Sequence, residues 1–159
     1  MNLIRVDDRL IHGQVAVGWC GYIRPRFMII ADDEIAADKN DSELYLTGVP
    51  FGCVGRAIAV KDAGSFFTSC NAEPYILVLR SLEAAVRLLK GGFSYKKLNI
   101  GGIHYTEGRK QINNYIFLNE TDIQLLKELE VLVPEIFVQD LPTNARYGLE
   151  YVFNKWKEQ

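Results

Sequence analysis

The sequence predicts an α/β fold: a mainly parallel central sheet of about six or seven strands, doubly wound, with helices on both faces. Three observations carry this. Short apolar runs of strand length alternate with longer segments of helical period, the pattern of βαβ crossovers that set successive strands parallel. One run, Tyr75–Leu79 (YILVL), is apolar on both faces, as a strand in a buried parallel sheet must be. The 159 residues, 48% hydrophobic and 24% charged, make about one domain with a core that needs no disulfide or metal staple.

Taken in order, residues 3–6 read as the first strand and 14–22 as a helix with Val15, Trp19 and Tyr22 on one face. Phe27–Ala31 (FMIIA) is the second strand, followed by a polar stretch and a helix over 41–47. Pro50 and Gly52 break that helix, and 56–60 forms the third strand. Residues 61–69 make a short helix before the fourth strand, Tyr75–Leu79. Ser81 then caps a helix whose Leu82, Ala85, Val86 and Leu89 fall at i, i+3, i+4 and i+7, and Gly91-Gly92 stop it. A fifth strand covers 97–100 and a short sixth 115–118, after which Asn119 or Thr121 caps a helix reaching about residue 130. A last strand over 135–139 and, after Pro142, a terminal helix Leu149–Lys157 complete the chain. No linker, repeat or low-complexity tract interrupts it, so one domain over 1–159 is expected.

Composition excludes several classes. The net charge is −2, with 20 acidic and 18 basic residues scattered along the chain, so the basic footprint of a nucleic-acid binder is missing. The opening MNLIRVDDRLIHG has no long apolar run and is no signal peptide; apolar runs elsewhere fall far short of the roughly 20 residues that span a bilayer. Cys20, Cys53 and Cys70 form no C-x-x-C pair and read as reduced thiols packed in a cytoplasmic protein. With two lone histidines, they match no metal-ligand spacing, and no metal or cofactor is expected.

In such sheets, ligands bind where strands end and loops lead into helices. The first of these loops reads Asp7-Asp8-Arg9-Leu10-Ile11-His12-Gly13-Gln14. An imidazole is a competent nucleophile near neutral pH, and phosphorylating it adds negative charge to the loop. Arg9 can pair with the added oxygens, free N–H groups at the helix start can bind others, and Gly13 permits close backbone approach. An aspartate, Asp7 or Asp8, can fix the imidazole by accepting the N–H of its far nitrogen. The same residues also fit a plain structural role: a hydrogen-bonded histidine, an acidic N-cap region and a surface arginine ion pair.

The string Val6-Asp7-Asp8-Arg9-Leu10-Ile11-His12-Gly13-Gln14-Val15 resembles the phosphorylation loop of the IIB subunit of the bacterial sugar phosphotransferase system, mannose/fructose/sorbose family. Downstream, Leu98-Asn99-Ile100-Gly101-Gly102-Ile103 and Glu107-Gly108-Arg109-Lys110-Gln111-Ile112 resemble that family's N-x-G-G and E-G-x-K-Q segments. Comparable features also occur at Asp32-Asp33-Glu34, Val49-Pro50-Phe51-Gly52 and Leu79-Arg80-Ser81, so the resemblance runs collinearly over roughly the first 140 residues. It implies a phosphohistidine–sugar phosphotransferase that takes a phosphoryl group from a IIA phosphohistidine and hands it to a sugar bound by the IIC–IID membrane pair. By the same match His12 is the phosphohistidine intermediate and Arg9 the oxyanion clamp. Asp7 or Asp8 orients the loop, and Gly13 with Gln14 shapes the phosphate pocket. A cytoplasmic protein peripherally associated with membrane subunits is implied, and a homodimer is admitted.

Arg80, at the end of the fourth strand, can add positive charge at the same rim or simply flank a helix. Gly101-Gly102 either keep the neighbouring loop close to the site or make a turn. His104 reads as an exposed loop histidine, and Asp32 and Asp33 as turn or cap residues. The 102–110 segment looks faintly like a P-loop but has five residues between its glycines and no Gly-Lys-Ser/Thr ending, so a nucleotide-binding module is a weak rival. The tail from Leu141 onward matches no family feature; its Tyr147, Tyr151, Phe153 and Trp156 suggest a packed helix or an oligomer contact. A second reading is a regulatory phosphocarrier in an incomplete cascade without sugar transport.

Overall fold

A computed structural model describes residues 1–69 and 73–159; Cys70 lies outside them. Among the described residues nine strands occur: β1 (Leu3–Asp7), β2 (Phe27–Ala31), β3 (Val54–Ile58), β4 (Tyr75–Leu79), β5 (Lys97–Gly102), β6 (Lys110–Gln111), β7 (Phe117–Leu118), β8 (Glu135–Val138) and β9 (Tyr147–Gly148). Seven make one sheet in the order β3-β2-β4-β1-β5-β8-β9, while β6 and β7 pair as a separate small hairpin. All pairings in the large sheet are parallel except β8 with β9. The apolar YILVL segment sits between β2 and β1, as its two-faced character requires, and Ile76 to Leu79 are wholly buried.

Alternation along the strands sorts the core into two layers. Ile4, Val6, Ile29, Leu77, Leu79, Leu98 and Ile100 meet helices α4 (Ala63–Ser69), α5 (Leu82–Lys90), α6 (Glu120–Leu132) and α7 (Leu149–Lys157). On the opposite face Leu3, Met28, Ile30, Ile76 and Val78 meet Leu10, Ile11 and the residues of a π-helix (Gln14–Trp19), α1 (Cys20–Ile23) and α2 (Asp33–Ala37). Each fully buried aliphatic side chain in these two layers contributes about 1.5–3 kcal/mol. The remaining helix, α3 (Lys39–Leu46), lies over this second face through its C-terminal end, where Tyr45 and Leu46 pack against the layer.

Several elements differ from the sequence expectation for local reasons. The third strand is Val54–Ile58, two residues earlier than expected, because the Asp33 carboxylate accepts the Val60 N–H (2.9 Å) and draws the chain into a 3-10 turn. The 115–118 strand shrinks to β7 and leaves the main sheet, whose last place goes to the two-residue β9. Tyr22 is 61% exposed, and Ile23 takes the expected core place beside Val15 and Trp19, because the wider π turn brings residues four apart onto one face. In α5, Leu88 is buried and Leu89 only half-buried. The caps are as read: Ser81 accepts the Ala84 N–H, and Asn119 forms a capping box with Asp122. Asp32 takes the cap role, one of the two expected of it, for α2, a short helix that forms within the polar stretch after β2. Among the described residues, no helix is long and apolar enough to cross a membrane.

Candidate functional site

At the carboxyl end of β1 the chain leaves the sheet in a tight turn, with Leu10 N–H donating to Asp7 O (2.9 Å) and Asp8 N–H to Gly102 O (3.1 Å). Leu10 takes a left-handed backbone (φ 58°), which costs about 1–2 kcal/mol for a branched residue. Its side chain is wholly buried and Ile11 nearly so, and that apolar burial offsets the strain and pins the loop to the second core layer. Held between these anchors and the π-helix, the His12 side chain stays 19% exposed.

Nδ1 of His12 lies 2.9 Å from Leu10 O; a carbonyl only accepts, so this nitrogen carries the proton here. Nε2 faces Gln14 Oε1 at 3.5 Å and Asp7 Oδ2 at 3.7 Å. Arg9 stands beside the ring, donating from Nη2 to Gln14 Oε1 (2.7 Å) and from Nε to Asp7 Oδ1 (3.3 Å), with its side chain 37% exposed. A Cβ built on Gly13 would meet nothing within 4 Å, so the loop is open there. Ala16 N–H makes the first helical bond, to His12 O (2.8 Å), so the amides before it have no helical acceptor.

The two aspartates do different things. Asp7 turns inward, wholly buried, and its Oδ2 accepts from Nη2 of Arg5 (2.8 Å). Arg5, itself wholly buried, also donates from Nη1 to Asn99 Oδ1 and to Gln139 O. Burial pushes the Arg5 guanidinium down from its ordinary range, and the Asp7 carboxylate opposes that. Gly101 and Gly102 are glycines because this pair lies on them: a Cβ at Gly101 would sit 1.7 Å from Arg5 Cζ, and one at Gly102 2.9 Å from Asp7 Oδ1. Asp8 turns outward and holds His104, accepting its backbone N–H (2.7 Å) and its Nδ1 (2.6 Å). His104 is therefore half-exposed but tethered to the loop, and Arg109 fixes its carbonyl (3.0 Å).

Asp7, Arg9, His12 and Gln14 thus form one cluster, with Gly13 at its open side and Asp8 bracing the loop on His104, just past β5. Arg80 is outside it: its Nε donates to Asp32 Oδ2 (2.6 Å) in a separate cleft lined by Asp33, Glu34 and Arg87. That contact holds Arg80 above its ordinary pKa range, chiefly through the hydrogen bond. Sequence reasoning missed Arg5; its signal was a charged residue within an otherwise apolar strand opposite Asn99-x-Gly-Gly. The faint P-loop segment is no phosphate cradle: Gly108 (φ 87°) makes a tight turn into β6, and no helix follows. Beside the loop, the chain at Gly48 packs closely on Ile11, and the turn that follows leaves Phe51 fully exposed.

Residues 1–159 match the family model described as the PTS system sorbose subfamily IIB component. The N-acetylgalactosamine-specific phosphotransferase enzyme IIB component 2 of Escherichia coli (strain K12) is 31% identical over 148 residues, covering 92% of this chain and 94% of that protein. The mannose-specific EIIAB component of the same organism is 29% identical over 98% of this chain, which spans 49% of it. A crystal structure of manxB from Thermoanaerobacter tengcongensis superposes with a TM-score of 0.89 at 29% identity, covering 98% of this chain and 96% of that one. Sheet order, histidine loop and a family match along its full length agree, and the chain belongs to the sorbose subfamily of phosphotransferase-system IIB components.

Proposed function

We propose that this protein is the phosphocarrier step between a IIA phosphohistidine and a sugar held by IIC and IID membrane subunits, with His12 as the residue that carries the phosphoryl group. The observation that supports it most is the partly exposed His12 ring at the carboxyl end of β1, with Arg9 beside it. In the first step the P–N bond to the donor histidine breaks as a P–N bond to His12 forms. In the second that bond breaks, a P–O bond forms to a sugar hydroxyl, and the hydroxyl proton is released.

Attack on phosphorus needs an unprotonated ring nitrogen: Nε2 already has its lone pair and needs the Gln14 and Asp7 oxygens moved from its front, whereas Nδ1 must first lose its proton and its contact with Leu10 O. Arg9 is suited to turn onto the phosphoryl oxygens because its present partners hold it at a half-exposed position. Asp7 sets the Arg9 backbone and side chain, Asp8 braces the loop on His104, and Gly13 and Gln14 border the space the group enters. Arg80, expected from the sequence to support the phosphate, is instead paired with Asp32 in the neighbouring cleft. The EIIAB relative carries, by its name, IIA and IIB components in one protein, which favours a IIA domain as the donor.

The test is transfer of labelled phosphate from a phosphorylated IIA protein. Label should appear as an acid-labile, alkali-stable adduct, vanish in His12→Ala, persist in His104→Ala, and discharge when sugar and membranes bearing IIC and IID are added. Label retained in His12→Ala overturns the assignment. Normal charging without sugar-dependent discharge would instead favour the regulatory reading.

A further inference from the structure

The fold brings together two cysteines that lie 33 positions apart in sequence: Cys20 Sγ and Cys53 Sγ are 3.5 Å apart. Both are free thiols. Cys20 opens α1, directly after the π-helix that follows His12, while Cys53 sits between the exposed Phe51 turn and the first residue of β3. Backbone bonds fix each end: Cys53 N–H donates to Pro50 O (3.1 Å), and Arg24 N–H donates to Cys20 O (2.8 Å). Neither thiol has a role in the phosphoryl site. We propose that Cys20 and Cys53 are a redox modification site, oxidised to an intramolecular disulfide by small-molecule disulfides and reopened by thiols.

The geometry gives the two sulfurs unequal parts. Cys20 is 8% exposed, whereas Cys53 is only half-buried, so a reagent reaches Cys53 first. Burial, followed by the contact with Cys53, pushes the Cys20 thiol up to about 11, which further disfavours it as the entry point. The Cys53 thiolate attacks one sulfur of the reagent RSSR, forming a mixed disulfide and expelling RS⁻. Cys20 then loses its proton and attacks Cys53 Sγ, closing the Cys20–Cys53 bond and expelling the second RS⁻. Two protein thiols lose two electrons and two protons, and RSSR becomes two RSH. The product ties the end of the His12 helical segment to the head of β3.

The experiment uses the full-length protein carrying Cys70→Ser, treated with oxidised glutathione and followed by intact mass and peptide mapping. We expect a loss of about 2 Da, a Cys20–Cys53 cross-linked peptide, and reversal by dithiothreitol. Because the folded chain holds the thiols in contact, closure should run at least about tenfold faster than in urea-unfolded protein. The Cys20→Ser variant should stop at the glutathione mixed disulfide on Cys53. A native protein that accumulates the mixed disulfide without closure, cross-links between molecules, or closes no faster than the unfolded chain overturns the proposal.

Discussion

Gly101→Ala is the most demanding test of the support beneath the site. A methyl there would sit 1.7 Å from Arg5 Cζ, 1.9 Å from Nη1 and 2.1 Å from Nη2, where unstrained contact needs about 3.5–4 Å. The guanidinium must retreat by roughly 1.5–2 Å, and nothing around it can yield without loss, because Arg5 is wholly buried and bonded to Asn99, Gln139 O and Asp7. Breaking a buried ion pair in this way costs about 3–5 kcal/mol. For a domain of this size each kcal/mol moves the unfolding midpoint by about 2–4 °C, so a drop of roughly 6–20 °C is expected by thermal circular dichroism. The physical claim is sharper in combination with Arg5→Met, which leaves the Asp7 carboxylate without its partner but empties the space the new methyl wants. The double variant should be more stable than the sum of the two single losses by about 2 kcal/mol or more in urea titrations. Additive losses, or a Gly101→Ala protein as stable as the parent, would refute the reasoning.

Arg9→Gln should slow charging of His12 by roughly 10²–10³-fold while changing stability by less than about 1 kcal/mol, since Arg9 is a half-exposed side chain whose value is to the transferring group; stopped-flow transfer assays and urea titration separate the two. Acid sensitivity should depend on Arg80. Burial pushes the Asp32 carboxyl up, but the hydrogen bonds from Arg80 and the Ile35 N–H outweigh it and hold the folded value below the ordinary 3.8. That contribution is complete above the unfolded value and lost as pH falls through the folded one, so Arg80→Met should lose less stability than the parent between pH 5 and 3 by urea midpoints; equal or greater loss would sink this account.

How much was legible follows from where the forces are local. The strands at Phe27–Ala31 and Tyr75–Leu79 declare themselves through uninterrupted apolar side chains, and the helices after Ser81 and Asn119 through caps that act within three residues. The histidine loop stands out in the sequence because two carboxylates, a guanidinium and an imidazole are packed into eight consecutive residues. Its support does not. Arg5 on β1, Asn99 on β5 and Gln139 just past β8 meet only because the sheet order β1-β5-β8 makes them neighbours. The Cys20–Cys53 contact is likewise a product of tertiary packing, invisible to spacing rules. β9 is two residues long and carries no periodicity to read. The π turn after Gly13 shifts the buried face by one residue, from Tyr22 to Ile23, which a helical template of ordinary period cannot anticipate.

The burial of Arg5 itself calls for a reason, because a buried ion pair is often no more stabilising than the apolar residues that would replace it. On the proposed function the reason lies 3.7 Å from Asp7 Oδ2, at Nε2 of His12. A phosphoryl group on this ring brings nearly two negative charges toward the Asp7 carboxylate, and at about 4 Å each unit pair is worth about 4 kcal/mol in a protein-like dielectric. Asp7 cannot simply be dispensed with, since it holds Arg9 by backbone and side chain. Arg5, pressed against it from the sheet side, cancels its charge without competing for the open face, and Arg9 then supplies one net positive charge where the phosphoryl oxygens would arrive. On this view Gly101 and Gly102 are flat because they make room for a neutralising charge, and the N-x-G-G segment belongs to the histidine loop although it lies on another strand.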